Sequence, residues 1–340
     1  MGHLSANLAP LRRTSNMRIL LTVMTTLVAS FFFSPTAHAL CTLTKPVIVN
    51  YGTQSSVVVN ATSQSQTINI QLTCTTVLNI AAPGFINVNF ASATPANTPR
   101  ALLTSSTTTD TIPIQLNCIP RTCTPAKEIQ VADTAAVSSA TLLTLLSNTQ
   151  YTLPFTIQTV IGQSVAAGTY TASLNLNISW SICTVGAVGI CAIPDPGSDT
   201  LSIPITLIVA NDCATITAPD INFGSAPVAG SFSTQSGTIT LVCTKSATYT
   251  VGISDGQNAS GGVRNMLNGV ANLLSYDIYQ STSNNRWGSV GSQRWSSTAA
   301  TTTSPDTMTK TYSYTAKIFP TQNTPPAGVY NDTLVVDVAF

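Results

Sequence analysis

One alternating pattern of apolar residues occurs twice in the chain, at a constant offset. GTYTASLNLNISW at 168–180 is matched by GVYNDTLVVDVAF at 328–340, so that Tyr170 corresponds to Tyr330 and Trp180 to Phe340. Every second residue of each copy falls on one side of an extended chain, which is typical of a β-strand with one buried face. Both copies are therefore predicted to be strands of equivalent sheets.

The two copies differ in the residues C-terminal to them. The first leads through a short loop into another alternating run, TLSIPITLIVA at 200–210, whereas the second ends the chain at Phe340. The C-terminal domain is therefore expected to be one strand short and to bind a strand from another chain. The predicted edge for the incoming strand consists of Tyr330, Leu334, Val336, Val338 and Phe340.

The first residues have the features of a secretory signal peptide. Arg12, Arg13 and Arg18 precede an apolar run at 19–33, and an A-x-A site ends at Ala39. Such a segment predicts export of the remaining chain. Only 7% of the residues are charged and the formal net charge is +1, which gives no reason to expect binding to nucleic acid.

A second repeat relates the cysteines. CTLTKPVIVNYG, beginning at Cys41, parallels CATITAPDINFG, beginning at Cys213, and each leads into an alternating strand that closes on another cysteine. The repeat pairs Cys41 with Cys74 and Cys213 with Cys243. Three pairings remain open for the other four cysteines, of which the local choice joins Cys118 to Cys123 and Cys183 to Cys191.

These patterns predict an all-β fold of two immunoglobulin-like sandwich domains in tandem. Short strands with turn residues between them, pinned by disulfides, favour this class. Predicted strands include 85–91, 111–117, 151–160, 249–254, 273–280 and 310–319. The expected organisation is a signal peptide at 1–39, an N-terminal domain at 40–210 and a C-terminal domain at 211–340. The short linker, Asn211 and Asp212, predicts domains stacked end to end, with 160–167 packed between them.

Several motifs of the C-terminal half occur in the order found in a known family. NDCATITAPDINFG, GTITLVCTKSATYTVGIS, RNMLNG, LLSYDIYQ, NNRWG and PAGVYNDTLVVDVAF together resemble the spore coat protein U-like domain. Subunits of archaic, Csu-type chaperone-usher pili use this domain. The N-terminal half is similar only at its first strand pair and at AAGTY.

The resemblance implies the two-domain tip adhesin of such a pilus, with an N-terminal adhesin domain at 40–210 and a C-terminal pilin domain at 211–340. It would pass through the periplasm to the cell surface with the help of a periplasmic chaperone and an outer-membrane usher. The chaperone, and then an adjacent pilin subunit, would donate the missing strand, which is donor-strand complementation. Only Leu40 would precede Cys41 after cleavage, so the chain is expected to accept a strand without giving one and to sit at the pilus tip.

Three apolar loops of the N-terminal domain, 75–84, 137–148 and 183–191, are predicted to share the end far from the linker, where they would form a surface-binding patch. Their candidate residues are Val77, Leu78, Ile80, Leu142, Leu143, Leu145, Leu146, Val185, Ala187, Val188 and Ile190. The alternative is that these side chains fold inward as core, or that 142–146 is a short buried helix.

An apolar patch at a pilus tip predicts hydrophobic attachment to abiotic surfaces, leading to biofilm. Two alternatives stay open: an adhesin for a carbohydrate or another receptor, and a secreted structural pilin or coat subunit. An enzyme is not expected, since His3 and His38 both precede the cleavage site. No catalytic residue, metal or cofactor is predicted. Asp195 and Asp199 fit a turn better than a glycosidase pair, and Arg264, Trp287, Arg294 and Trp295 fit packing roles better than a sugar platform.

Overall fold

The computed structural model describes residues 41–45, 47–74, 78–79, 84–119, 123, 127–138, 149–187, 189–269 and 271–340. Within these ranges strands are the predominant element, as the alternating patterns predict. The signal peptide and several of the predicted loop residues lie outside them.

The first body contains twelve strands and one short helix among the described residues. They are β1 (Cys41–Leu43), β2 (Val49–Ser55), α1 (Ser56–Ala61), β3 (Ser65–Cys74), β4 (Leu78–Asn79), β5 (Phe85–Thr94), β6 (Ala101–Thr104), β7 (Thr111–Cys118), β8 (Lys127–Ile129), β9 (Thr134–Ser138), β10 (Thr149–Thr159), β11 (Gly168–Ala187) and β12 (Ile190–Ala210).

The order of pairing in the first body is β1-β3-β10-β7-β6-β11-β12-β2, with β5 beside β11 and β9 beside β5. The long strands β11 and β12 form an antiparallel hairpin, and β12 runs parallel to β2 on its other side. The alternate apolar residues of these strands face one another in a single core. The first body is therefore complete, because its closing strand has a neighbour on each side.

The second body contains shorter strands and three 3₁₀ turns. The strands are β13 (Cys213–Thr217), β14 (Gln235–Cys243), β15 (Thr250–Ile253), β16 (Arg264–Asn268), β17 (Asn272–Gln280), β18 (Trp295–Ser296), β19 (Thr302–Thr303), β20 (Thr309–Ile318) and β21 (Val336–Ala339), and the turns are Ala229–Ser231, Gly291–Gln293 and Ser297–Ala299. One sheet has the order β13-β14-β20-β17-β16, with β19 beside β20, and the other has the order β18-β15-β21.

The repeat extends to the backbone and the cysteines. Gly52 and Gly224 both have positive φ, at 69° and 75°, which favours glycine. Each donates its N–H to the side-chain oxygen of the asparagine two residues earlier, over 2.9 and 2.8 Å. In both bodies a disulfide joins the first strand to the antiparallel strand paired with it, Cys41 of β1 to Cys74 of β3 and Cys213 of β13 to Cys243 of β14. The pairings expected from the repeat are confirmed.

The other four cysteines form the local pairs, Cys118 with Cys123 and Cys183 with Cys191. All eight cysteines of the chain are therefore oxidised. The expectation that 183–191 is a loop is wrong, since β11 extends to Ala187 and β12 begins at Ile190. The small disulfide ring is the end of a continuous hairpin, whose inter-strand pairing continues past Ile182, the last residue of β11 in the core.

The prediction of one strand over 328–340 is also wrong in its extent. Only Val336–Ala339 forms a strand, paired with β15, and the preceding residues have one isolated bridge, between Asn331 and Leu267. The equivalent part of β11 pairs with β12 along its whole length. The alternating sequence is the same, but 328–335 meets β16 only at this one bridge. On its other side, where β12 lies beside β11 in the first body, none of the described residues forms a partner strand.

The two bodies contact each other beside the linker. β12 ends at Ala210 and β13 begins at Cys213. Lys245 of the second body forms a salt bridge with Asp110 of the first, and Ala166 forms an isolated β-bridge with Lys245. The hydroxyls of Ser56 and Thr244, both buried, lie 2.6 Å apart. The segment 160–167 thus contributes to the contact between the bodies, as its apolar sequence indicates.

Asp110 makes this contact sensitive to acid. Burial alone would raise the pKa of Asp110, but hydrogen bonds from Lys245, Ala166 and Thr108, together with the charge of Lys245, lower it below its ordinary value. A lowered carboxyl pKa stabilises the folded form above the ordinary pKa, and this contribution is lost as the pH falls through the lowered pKa.

We therefore expect Asp110→Asn to remove part of the acid sensitivity of the contact between the bodies. The loss at neutral pH should be only about 1 kcal/mol, because the lysine is partly exposed. Calorimetric melting at pH 7 and at about pH 3 measures it. Asp199→Asn is the matched control, since Asp199 pairs with Lys45 inside the first body. If the two variants change the temperature difference between the unfolding transitions of the two bodies equally, Asp110 does not stabilise the contact between them.

Candidate functional site

The second body has an open groove where the first body has its closing strand. In the first body, β12 fills the space between β11 and β2, and its inward side chains are at most 2% exposed: Leu201, Ile203, Ile205, Leu207 and Val209. In the second body, 328–340 corresponds to β11 and 221–224 corresponds to the start of β2. No described segment of the chain lies between these two walls. We call this space the acceptor groove.

The side chains of the groove walls are less buried than their counterparts. Tyr170, Leu174 and Leu176 of β11 are fully buried, whereas Tyr330, Leu334 and Val336 are only half-buried. On the opposite wall, Val49 is fully buried, whereas its counterpart Ile221 is half-buried. These walls border two adjoining cavities of about 450 and 660 Å³. A strand that entered the groove would therefore cover apolar side chains that the first body covers with its own residues.

The predicted edge residues divide into two groups. Tyr330, Leu334 and Val336 line the groove. Val338 is paired with Val251 of β15 and packs against the core, and the ring of Phe340 lies 5.7 Å from the ring of Tyr249. Val338 and Phe340 therefore lie past the cavities, where β21 is already paired on one side.

A carboxylate lies among the apolar residues of the groove. Oδ1 of Asp332 accepts hydrogen bonds from the N–H of Gln257, at 2.9 Å, and from Nδ2 of Asn258, at 3.1 Å. Its Oδ2 accepts a hydrogen bond from the hydroxyl of Tyr276 at 2.8 Å. Burial and then this bond to Asp332 raise the pKa of Tyr276 well above its ordinary value, so the hydroxyl remains a donor.

The far end of the β11–β12 hairpin carries exposed apolar side chains. Phe85 is 47% exposed, Ile190 is 71% exposed and Ile193 is 52% exposed. Phe85 and Pro196 flank Ser181 on neighbouring strands, and Ile193 is paired with Val185. We call Phe85, Ile190 and Ile193 the tip surface. Along β12, Ile190 lies about 65 Å from the linker at the usual rise per residue, and Phe85, which is level with Pro196, lies about 45 Å from it.

The structure brings the backbones of the predicted loops together in part. Leu78 and Asn79 form a short parallel pair with Val185 and Gly186, and the end of β9 at Ser138 is paired with Phe85. For Leu78, Val185 and Ala187 only the backbone is described. Outside the described residues lie Val77, Ile80, Leu142, Leu143, Leu145, Leu146 and Val188. Of the predicted patch, only the side chain of Ile190 is placed, and it is exposed.

Sequence reasoning misses Phe85 and Ile193 as candidates for the tip. Phe85 begins a predicted strand whose faces the sequence alone does not assign, and Ile193 lies beyond the disulfide ring at which the predicted loop ends. The available signal is the alternation of each strand. In β5 the buried residues begin at Ile86, so Phe85 points the other way.

Arg264, Trp287 and Trp295 of the second body pack in its interior. Arg264 is fully buried, donates to the backbone oxygens of Ser254, Ile253 and Trp287, and forms a salt bridge with Asp277. Trp287 is fully buried against Trp295 and Tyr312. This network leaves no face of Arg264 or Trp287 open to a sugar.

Asp195 and Asp199 lie in β12, opposite Ile182 and Ile178 of β11, so the expectation that they belong to a turn is wrong. Asp199 accepts a hydrogen bond from Lys45 at 2.9 Å, which lowers its pKa below the ordinary value, with a smaller contribution from the N–H of Thr200. No group of three or more His, Cys, Asp or Glu within the described ranges is arranged to hold a metal ion. In that same part of the chain, no helix is long and apolar enough to span a membrane.

Comparison with protein families identifies both halves of the chain. The model of the Spore Coat Protein U domain matches residues 27–177 and 199–337. The chain therefore belongs to the Spore Coat Protein U domain family. The resemblance seen in the motifs of the C-terminal half is confirmed, and it extends further into the N-terminal half than the motifs indicate. No curated protein sequence matches the chain.

Solved structures give a related result. At 25% identity and a TM-score of 0.58, 88% of this chain aligns with 100% of a chain in the crystal structure of the CsuC–CsuE chaperone–tip adhesion subunit pre-assembly complex, from archaic chaperone-usher Csu pili of Acinetobacter baumannii. The CupB6 tip adhesin from Pseudomonas aeruginosa is similar at 12% identity and a TM-score of 0.38, over 88% of this chain and 95% of that one. The family match and the first of these structures support a pilus subunit of the chaperone-usher class. Neither that family nor that tip subunit is a class of enzyme.

Proposed function

We propose that this protein is the tip adhesin of a chaperone-usher pilus and that its first domain attaches the pilus to hydrophobic abiotic surfaces, which leads to biofilm. A periplasmic chaperone first occupies the acceptor groove of the second domain. An adjacent pilin subunit then donates a strand to the same groove during assembly at an outer-membrane usher. The protein is exported and stands at the pilus tip.

The acceptor groove carries the assembly part of the proposal. The first domain contains the same walls with a strand between them, so the chain itself supplies the template for the occupant. That strand is extended, antiparallel to β11, and apolar at every second residue from Leu201 to Val209. A donated strand of this kind would satisfy the free backbone edge and cover the half-buried wall residues.

The tip surface carries the adhesion part. Phe85, Ile190 and Ile193 are exposed at the end of a disulfide-closed hairpin, at the opposite end of the first domain from the linker. Rigid, exposed apolar side chains lose little conformational entropy when they meet a surface. Few charges oppose this contact, since the whole chain has 13 basic and 12 acidic residues.

The energy of one such contact is modest. Full burial of a Phe, Leu or Ile side chain contributes roughly 1.5 to 3 kcal/mol, and a flat surface covers only part of each. Many pili on one cell would multiply this weak contact, because each new attachment becomes an intramolecular event. We therefore expect weak single-molecule binding and firm attachment of cells.

We expect a double variant, Ile190→Asp with Ile193→Asp, to lose at least about tenfold in binding of the full chain to polystyrene, because two apolar contacts become charged. Both side chains are more than half exposed, so the melting temperature should stay close to that of the wild type. Adsorption to polystyrene and to hydrophilic glass, followed by a quartz microbalance, measures the change.

The matched control is Val290→Asp, since Val290 is 66% exposed but lies in the second domain. It should bind polystyrene as the wild type does. Salt screens interactions between charges but not apolar contacts. We therefore expect wild-type binding to fall by less than about twofold between low salt and 1 M salt. Equal losses for the control and the tip variant, or equal adsorption to glass and plastic, would contradict the proposed adhesion.

A further inference from the structure

The acceptor groove differs from its template at one position. Ala172 of β11 is paired with Ile205 of β12, and both face the core. The counterpart of Ala172 in the second domain is Asp332, by the same correspondence that relates Tyr170 to Tyr330. A carboxylate therefore stands in the groove wall where the first domain has a methyl group.

The carboxylate of Asp332 is held in place from behind the groove. Three donors reach it, the N–H of Gln257, the amide of Asn258 and the hydroxyl of Tyr276. Gly256 has positive φ, at 87°, and a Cβ there would overlap the carboxylate, so the loop closes tightly around the side chain. Asp332 still lines the cavity and is half-buried. Part of the carboxylate therefore faces any strand that enters.

We propose that Asp332 is a specificity-determining residue of the acceptor groove, which selects a donor strand with glycine or a hydroxyl-bearing residue, and not a bulky apolar one, opposite it. This inference rests on the proposed acceptor role of the groove. An isoleucine at that position would remove water from the carboxylate without replacing its hydrogen bonds. A serine or threonine hydroxyl could donate to it, and glycine would leave room for water.

The neighbouring positions have the opposite preference. Leu334 corresponds to Leu174, which is paired with Ile203, and Tyr330 corresponds to Tyr170, which is paired with Leu207. These walls are apolar, so the donor residues that face them should be bulky and apolar. The predicted donor strand is therefore apolar at every second residue except at the one that faces Asp332, which also fixes its register.

A donor strand can be supplied within the chain to test this selectivity. A flexible linker of about eight residues and a copy of 200–210 are added after Phe340, so that the copy can fold back antiparallel to β21. The copy contains either isoleucine or threonine at the position of Ile205, in the presence of Asp332 or of Asp332→Ala. Urea unfolding of the second domain, followed by the fluorescence of Trp287 and Trp295, compares the four chains.

With Asp332 present, threonine should give an equilibrium constant for unfolding about tenfold smaller than isoleucine does. With Asp332→Ala, isoleucine should be the more stabilising. If Asp332 has only a structural role, Asp332→Ala should lower the stability of the isoleucine and threonine chains equally and leave their order unchanged. That result would overturn the inference. Threonine at the copy of Ile203 is the matched control and should destabilise both backgrounds alike.

The same set separates this inference from the proposed function. If no copy stabilises the second domain more than a copy with Asp at the positions of Ile203 and Leu207 does, the acceptor groove itself is refuted. If the copies stabilise the domain but their order does not depend on Asp332, the groove stands and only its selectivity is refuted.

Discussion

Replacing Asp277 by alanine is expected to lower the free energy of unfolding of the second domain by about 3 to 5 kcal/mol. Its Oδ1 lies 2.6 Å from Nη1 of Arg264 and its Oδ2 lies 2.7 Å from Nε of Arg286. Arg264 is fully buried, so removal of the Asp277 carboxylate leaves the guanidinium charge of Arg264 without compensation in the interior. Urea unfolding followed by tryptophan fluorescence measures the loss, because Trp287 and Trp295 both lie in this domain.

Asp255→Ala is the matched control for Asp277→Ala. Asp255 also pairs with Arg286, at 2.7 Å, but its side chain is 40% exposed. An exposed pair contributes less than about 1 kcal/mol. If the two variants cost the same, the buried pair between Arg264 and Asp277 does not hold the strands around the groove together.

Removing the equivalent disulfides should affect the two domains differently. The bridges Cys41–Cys74 and Cys213–Cys243 close loops of nearly equal length, 33 and 30 residues, so the chain-entropy model gives each about 3 to 4 kcal/mol. The second domain has an open groove and less apolar burial to offset this loss. We expect Cys213→Ala with Cys243→Ala to unfold the second domain at 37 °C, and Cys41→Ala with Cys74→Ala to leave the first domain folded.

The control for the disulfide prediction is the chain extended by a copy of 200–210. With its groove filled, the second domain should tolerate the loss of Cys213–Cys243, as the first tolerates the loss of its own bridge. Circular dichroism against temperature gives both results, with Trp180 as the reporter of the first domain and Trp287 and Trp295 as the reporters of the second. A first domain that is the more sensitive of the two would contradict the incompleteness of the second domain.

The positions of many strands in both domains can be predicted from the sequence, because the alternation of apolar and polar residues is a local property. The strand containing Gly168–Trp180 and its copy after Gly328 are visible in their sequences, and the repeat of cysteines predicts the long disulfides. The length of a ladder is not local. β11 reaches Ala187 because β12 runs beside it, and β21 is confined to Val336–Ala339 because 328–335 lacks such a neighbour among the described residues.

The candidate sites can be predicted less completely, for a related reason. Whether Phe85 or Ile193 is exposed depends on which strands cover it, which the pattern of one segment does not contain. The role of Asp332 needs a comparison of two walls, since its neighbours Gln257, Asn258 and Tyr276 come from other elements. The apolar character of the first domain's end is visible in the sequence, and Ile190 fits that expectation.

The most direct test of the separation between adhesion and assembly is amide hydrogen exchange of the full chain, free and bound to polystyrene nanoparticles. We expect slower exchange on binding at the tip surface, in peptides that contain Phe85 and Ile190–Ile193, and unchanged exchange at the groove wall, 330–336. Protection of the groove without the tip, or no protection at the tip, would contradict the claim that opposite ends of this protein carry adhesion and assembly.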